Sequence, residues 1–394
     1  MNPSPKDRDQ IAFFKNRKPA GFLKRTPRGY SISFDPSFVG QNLTYHIRGT
    51  GTPIIENGTN LPPYFANLLP EGLRLKALQK IIKTSEDDFF SLFAASGADC
   101  IGDITAESFP HVTPSARRLR DVNFYELFSE SLRHAPDESI AGVQEKISAS
   151  MISFPLSVSQ NRKRYLLKLN PGDKKNLVKN EYHSLVLAKH CGLKTANAKI
   201  VVDKDQNDGL LVERFDRVWN HGANDFDFIH QEDGCQLMNL YPAQKYRISI
   251  NAFAKQIAEL ASSPEIEILN LIRQVAFSYL LGNGDLHAKN FSLQDVPGLP
   301  RQFTPVYDVI CTLIYGDAKM ALKLDGFDDN LTLKLLIEFG TRFGIPYKAC
   351  HASLNKLTEK FARHCQKFID GLEPDPKSKK HLERVFKKRL ADLE

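Results

Sequence analysis

The chain has 394 residues, 42% hydrophobic and 25% charged, with 53 Lys and Arg against 46 Asp and Glu for a net charge of +7. This is globular composition with length for two or three cores. No apolar run reaches the ~20 residues of a membrane span, and the polar residues 1–10 lack the apolar core of a signal peptide, so a cytoplasmic location and no membrane partner are expected. Six cysteines (Cys100, Cys191, Cys235, Cys311, Cys350 and Cys365) show no CxxC pairing. They read as reduced, mostly buried thiols, not as a zinc site or disulfide framework.

The first 30 residues are basic, from Lys6 to Arg28. Tyr30-Ser31-Ile32-Ser33-Phe34-Asp35 alternates as an edge-facing strand would. A helical stretch starts in residues 61–72 and runs through residues 73–78. Together these predict a compact α/β module over residues 1–110. A linker follows at residues 109–115, where two prolines stand in a short polar stretch.

Beyond Arg120 the pattern changes. A helix is predicted at Phe124–Leu132, a turn containing Ala141-Gly142 after Ser139, and a strand at Tyr165–Leu169. A helix over residues 180–190 carries Glu181 in its first turn, and strands follow at residues 199–202 and 209–215. Lys168, flanked by Leu167 and Leu169, either reaches solvent or pairs with nucleotide phosphates and with Glu181. Glu181 is alternatively a plain first-turn acid. Ala141-Gly142 permits close backbone approach to phosphates without a GxGxxG pattern, and reads equally as a generic turn. At the end of the strand, Glu213 C=O and Phe215 N–H are placed to hold adenine. Asp216 is placed to accept ribose hydroxyls, or to pair with Arg214 or Arg217. His230-Gln231-Glu232-Asp233 reads as the acidic start of a helix, with no chemistry assigned by physics alone.

Residues 268–281 repeat apolar side chains at helical spacing and predict a buried helix ending at Gly282. That helix delivers Gly284-Asp285-Leu286-His287-Ala288-Lys289-Asn290 as an anchored loop. An apolar, strand-like run then contains Pro305-Val306-Tyr307-Asp308. The spacing Asp-x-x-x-x-Asn, followed by a further Asp, is that of a phosphoryl-transfer loop. One carboxylate orients an attacking hydroxyl, while an amide oxygen and a second carboxylate hold Mg²⁺. The same residues also read as caps and turn formers in a polar loop. An ionised Asp308 among Val, Tyr and Ile is costly unless something pairs with it. His287 fits a hydrogen-bonding or phosphate-contacting role. In the tail, Leu382, Val385, Phe386, Leu390 and Leu393 share one helical face, which is expected to dock on the preceding helical domain. Its basic side, like the basic N-terminus, reads as a solvated face or as a surface suited to nucleic acid.

The order strand, Lys, helix with Glu, strands and connector is that of a kinase N-lobe, and the helical remainder that of a C-lobe. On these motifs, together with Asn67-Leu68-Leu69-Pro70-Glu71-Gly72 and Gly97-Ala98-Asp99-Cys100-Ile101-Gly102, the chain resembles the HipA family of bacterial kinase toxins. The segments Ser139-Ile140-Ala141-Gly142-Val143-Gln144-Glu145-Lys146, Leu211 to Arg217, His230 to Asp233, Gly284 to Phe291 and Tyr307-Asp308 carry the same resemblance, over nearly the whole chain.

The resemblance implies an α+β, two-lobed protein-kinase-like (PI3/4-kinase-like) core with an N-terminal α/β module. Its expected parts are the module at 1–110, an N-lobe at 120–217 and a helical C-lobe at 218–394. It implies a serine/threonine protein kinase using ATP and Mg²⁺, with Asp285 as base and Asn290 and Asp308 on the metal. Nucleotide would be met by Lys168, Glu213, Phe215, Asp216, Gln231, His287 and the loop residues Ala141, Gly142, Val143, Gln144, Glu145 and Lys146, with Glu181 supporting.

Ser139 would be an autophosphorylation site. A phosphate there adds about −1.5 to −2 charges beside the phosphate loop, which would repel ATP and switch the kinase off. The implied substrate is an aminoacyl-tRNA synthetase of glutamyl type. The implied partner is a HipB-like helix-turn-helix antitoxin that carries the complex to operator DNA. Two other classes remain in view. One is a catalytically silent co-repressor, disfavoured by the full set Lys168, Asp285, Asn290 and Asp308. The other is an aminoglycoside-type phosphotransferase, which would need an acidic pocket that no C-lobe acid cluster demands.

Overall fold

The computed structural model describes residues 4–106, 119–132, 151–156, 162–171 and 176–394. It falls into two compact units, Met1–Lys175 with Lys199–Pro242, and Asn176–Ala198 with Ala243–Glu394. The expected linker at 109–115 and the expected phosphate loop at 139–146, including Ser139, lie outside the described residues.

In the first unit, apolar alternation builds an antiparallel sheet. Strands β1 (Gln10–Lys15), β2 (Lys18–Thr26), β3 (Gly29–Phe34), β4 (Ile54–Asn57) and β5 (Ile104–Ala106) lie in the order β4-β3-β2-β1-β5. Ile11, Phe13, Leu23 and Ile32 point inward and are fully buried. β3 is flanked by β2 and β4, so it is interior and not the edge strand its alternation suggested. Pairing on both sides is a long-range property that a period of two does not encode.

The helical stretch after Leu61 is two helices, α1 (Pro63–Ala66) and α2 (Gly72–Ile82). Between them Asn67 donates its amide to Pro63 O at 2.8 Å and Leu240 O at 2.7 Å, closing off the first helix. Helix α3 (Phe89–Ser96) is capped by Asp88, which accepts from Ser91 N at 3.2 Å. Its Phe90 and Phe93 pack with Phe13 and Phe65 in the first core.

Helix α4 (Phe124–Leu132) has the bounds that its periodicity gives. Strands β6 (Ile152–Pro155), β7 (Tyr165–Leu169), β8 (Ala198–Val202) and β9 (Asp208–Glu213) form a second sheet in the order β6-β7-β9-β8. Its core joins Phe124, Phe128, Phe154, Leu167 and Leu211 with Leu73 and Ala77 of α2. Leu78 and Ile82 of the same helix face the first core. One helix thus seals two sheets, which is why both sit in one compact unit.

Strands β10 (Arg217–Asn220) and β11 (Asp225–Phe228) form a hairpin. His230–Asp233 is a strand, β12, not a helix start. The helix begins one residue later as α6 (Gly234–Leu237), where Asp233 accepts from Cys235 N and Gln236 N. The Gln236 side chain returns the bond to the Asp233 N–H. Asp233 is therefore an N-cap, and Glu232 before it is a strand residue.

The second unit is mainly helical: α5 (Leu177–His190), α7 (Ile250–Leu260), α8 (Pro264–Leu281), α9 (Leu333–Thr341), α10 (Tyr347–Leu372) and α11 (Pro376–Asp392), with a short pair β13 (Ser292–Asp295) and β14 (Gln302–Phe303). The tail helix docks as its apolar face requires. Leu382 and Phe386 are buried, and Phe386 lies 5.3 Å from Phe361 and 6.1 Å from Phe368 of α10. Arg389, one of the basic tail residues, is buried too and donates to Tyr279 O and Ala318 O. Among the described residues no helix is long and apolar enough to cross a membrane. Five of the six free cysteines are buried.

Candidate active site

Helix α8 ends where a glycine permits it. Gly282 has φ +77°, and a Cβ there would lie 2.3 Å from the Leu313 side chain. Only glycine adopts this left-handed cap without penalty while admitting Leu313. At Gly284 a Cβ would stand 2.3 Å from the Asp317 carboxylate. The loop is thus pressed against the segment that follows Asp308.

Asp285 leaves this turn with its amide donating to Asn283 Oδ1 at 3.0 Å. Its Oδ1 accepts the Tyr246 hydroxyl at 2.8 Å. His287 N donates to Asp285 O at 2.8 Å, and the His287 ring meets Tyr246 edge to face at 5.2 Å. Asn290 is buried in the 3₁₀ turn Ala288–Asn290. Its Nδ2 donates to Asp285 O at 2.8 Å and to Asp308 O at 3.3 Å. One amide therefore bridges the two residues that carry the carboxylates, which directs its Oδ1 away from both backbones. Tyr307 adds a second tie, its hydroxyl donating to Lys289 O at 2.7 Å. The segment around Asp308 is not the continuous strand its apolar run suggested. Only Gln302–Phe303 pairs as a strand, Val306 bridges Thr195 in parallel, and the chain bends at Asp308 with φ +52°. Asp accepts the left-handed region more readily than β-branched neighbours, and such strain concentrates at working sites.

Electrostatically the two carboxylates disfavour each other. Burial raises the Asp285 pKa above the ordinary carboxylate value; His287, the Tyr246 hydroxyl and Lys245 lower it, and Asp308 raises it. A raised pKa suits a general base, and two acids facing one another favour a cation. The oxygens that could meet a cation are hard ones: the Asn290 amide oxygen and the Asp308 carboxylate. Among the described residues no group of three or more His, Cys, Asp or Glu could cage a metal. Two such oxygens would fit Mg²⁺, which is usually held by one or two protein oxygens with water and phosphate.

The remaining expected residues are distributed as follows. Lys168 is buried in β7, paired with Ser153 of β6 and Leu210 of β9. Leu167 and Leu169 face the second core, so Lys168 stands on the opposite face of the sheet. It belongs to the first unit. Glu181, fully buried on α5, belongs to the second. Glu213 closes β9 with its carboxylate on Lys163 at 2.7 Å, and Phe215 lies in the turn that follows.

Asp216 makes the expected pairing with Arg214 and Arg217. Arg214 donates to both its oxygens at 3.0 and 2.7 Å, Arg217 at 2.9 Å and Gly102 N at 2.9 Å. Both guanidinium groups also reach Asp99 and Cys100 O. Burial alone would raise the Asp216 pKa, but the two arginines hold it down to about 2. These bonds make the carboxylate a structural tie, three of them on Oδ2 and one on Oδ1. Gln231 is buried on β12, between His230 and Glu232. His230 holds Asp103 at 2.7 Å and Glu232 at 3.0 Å, with Lys15 on Asp103 at 2.9 Å. This charged knot, too, is structural.

Tyr246 was not found from the sequence, since it precedes Asp285 by 39 residues and belongs to no spacing pattern.

Residues 138–365 match the family model of the HipA-like C-terminal domain, and residues 11–107 that of the HipA N-terminal domain. This chain belongs to the HipA family. Among its HipA relatives, the serine/threonine-protein kinase toxin HipA of Shewanella oneidensis is 25% identical over 376 residues, covering 88% of this chain and 84% of that protein. A Sinorhizobium fredii protein named "Putative kinase Y4dM" is 27% identical over 273 residues, spanning 65% of this chain and 63% of its own length. The fold is that of HipA in the solved Shewanella oneidensis MR-1 complex of HipA, HipB and operator DNA. The TM-score is 0.72 at 21% identity, over 97% of this chain and 96% of that one.

Proposed function

We propose that this chain is an ATP- and Mg²⁺-dependent serine/threonine protein kinase that acts as a growth-inhibiting toxin. The observation that carries this reading is the Asn290 amide bonded to both Asp285 O and Asp308 O, which joins the loop of Asp285 to the separate segment of Asp308, as a base beside metal ligands would require. Asp285 would orient a Ser or Thr hydroxyl and take its proton. The Tyr246 hydroxyl would hold the carboxylate's other rotamers in check. Asn290 and Asp308 would hold Mg²⁺, which when bound neutralises charge on the transferred phosphoryl group. Lys168 would contact phosphate, and the backbone of Glu213 and Phe215 would meet adenine.

Family membership supports the finer reading. The substrate would be an aminoacyl-tRNA synthetase of glutamyl type, and Ser139 would be the site of self-inactivation. A HipB-like antitoxin would neutralise the chain and bring it to operator DNA. The test is incubation of purified protein with Mg²⁺ and labelled ATP, with and without glutamyl-tRNA synthetase. Label on Ser139 and on the synthetase is expected from wild type and not from Asp285→Asn. Identical behaviour of the two proteins would end the kinase reading.

A further inference from the structure

Outside the groups already assigned, one hydrogen-bonded chain runs from α5 to the base loop, wholly within the second unit. Asn180 on α5 is fully buried. Its Nδ2 donates to Cys311 O at 2.9 Å, while its Oδ1 accepts from Cys311 N at 2.8 Å. One side chain thus grips both polar groups of one residue, three positions beyond Asp308. The next residue, Thr312, is a hub. Its backbone N–H donates to Gly282 O at 2.8 Å. Its Oγ1 accepts from Gly284 N at 2.7 Å and lies 3.0 Å from Gly282 O and 2.9 Å from Asp317 O, the two acceptors for its single proton.

We infer that Asn180 and Thr312 are positioning residues for phosphoryl transfer. Asn180 fixes the Asp308 segment to α5, and Thr312 fixes that segment to the loop that carries Asp285. The inference rests on the kinase reading and deepens it. Asn290 and Tyr307 tie the two segments on one side of Asp308, and Thr312 ties them on the other. With both ends fixed, the base and the metal ligand keep one spacing. Transfer is sensitive to such spacing, because a displacement of about 1 Å costs on the order of a hundredfold in rate. The same chain makes the seat of α5, which also carries Glu181, a determinant of where Asp308 stands.

The decisive comparison is Thr312→Val, which keeps the shape and removes the hydroxyl, against Thr312→Ser, which keeps the hydroxyl. Thr312→Val leaves the buried Gly284 N–H without an acceptor. It is expected to lower kcat about ten- to a hundredfold and to raise the Mg²⁺ concentration for half-maximal transfer, with KM for ATP little changed. Thr312→Ser restores most of the rate. Amide hydrogen exchange on the full chain supplies a readout independent of catalysis. Exchange at Gly284 and Asp285 is expected to quicken in Thr312→Val and not in Thr312→Ser, with α7 and α8 unchanged. Wild type that transfers no phosphate defeats the kinase reading and the catalytic inference with it, whereas exchange still decides whether the tie exists. Active wild type with Thr312→Val equal to it in kcat and Mg²⁺ dependence overturns the positioning role alone. Equal exchange in the two variants overturns the tie itself.

Discussion

Two carboxylates of this chain, one buried and one half-buried, are set in opposite charge environments. In the first unit, Asp216 meets two arginines and a backbone N–H, and its pKa falls to about 2. In the second, Asp285 meets a phenol hydroxyl and faces Asp308, and its pKa rises. A carboxylate that the fold has fully neutralised is part of the scaffold. Repulsion between neighbouring carboxylates costs stability, and a cation bound beside them would lower that cost. Both burial and the supply of cations separate the two acids: Asp216 is buried between guanidinium groups, and Asp285 is half-buried beside a phenol and a second carboxylate.

The sharpest way to break this comparison is Asp285→Asn. Phosphoryl transfer should fall by about 10²–10⁴ while thermal stability stays level or rises, because repulsion with Asp308 is relieved. A variant that loses activity only by unfolding would place Asp285 with the scaffold acids instead. Asp308→Asn should also suppress transfer, and the residual rate should need more Mg²⁺. A rate loss with unchanged Mg²⁺ dependence removes Asp308 from the metal. The converse change is Asp216→Ala, which takes the buried carboxylate from between two guanidinium groups and leaves them Asp99 and Cys100 O. Breaking such a buried pair typically costs about 3–5 kcal/mol, read by denaturant unfolding of the first unit. A cost near zero would mean that the arginines are held without it.

Two smaller effects are pH-dependent. The Asp216 pKa is depressed in the folded state, so its contribution is present above an unfolded value of about 4 and is lost as pH falls toward about 2. For His230, burial by itself lowers the pKa, but Asp103 outweighs it and brings it up to about 9. The unfolded value is about 6.5, so the folded state binds the extra proton between these two. Stability from this knot is complete below about pH 6.5 and declines as pH rises through about 9. A thermal melting series across that range should show Tm falling, and His230→Gln should flatten the slope. An unchanged slope in the variant removes His230 as its source.

Much of this was legible locally. Helix α4 and its bounds, the β7 strand around Lys168, the end of α8 at Gly282 and the docking face of α11 follow from side-chain period and a glycine cap, which neighbours in sequence encode. The Asp285–Asn290–Asp308 convergence was legible as spacing, and its realisation needed the Asn290 bridge. What stayed hidden depends on residues far apart in the chain. Tyr246 reaches Asp285 from 39 positions away and Asn180 reaches Cys311 from 131. β3 reads as an edge until β4 pairs with it, and the ties of Asp216 to Arg214 and Arg217 are joined by Gly102 from 114 positions away.

The amino-acid sequence by itself determined which residue types stand at phosphoryl-transfer spacing, since period, caps and motif intervals are properties of adjacent positions. Tertiary structure alone decided which groups stand beside each carboxylate: two guanidinium groups at Asp216, a phenol hydroxyl at Asp285. That outcome is set by partners that only folding brings within hydrogen-bond distance.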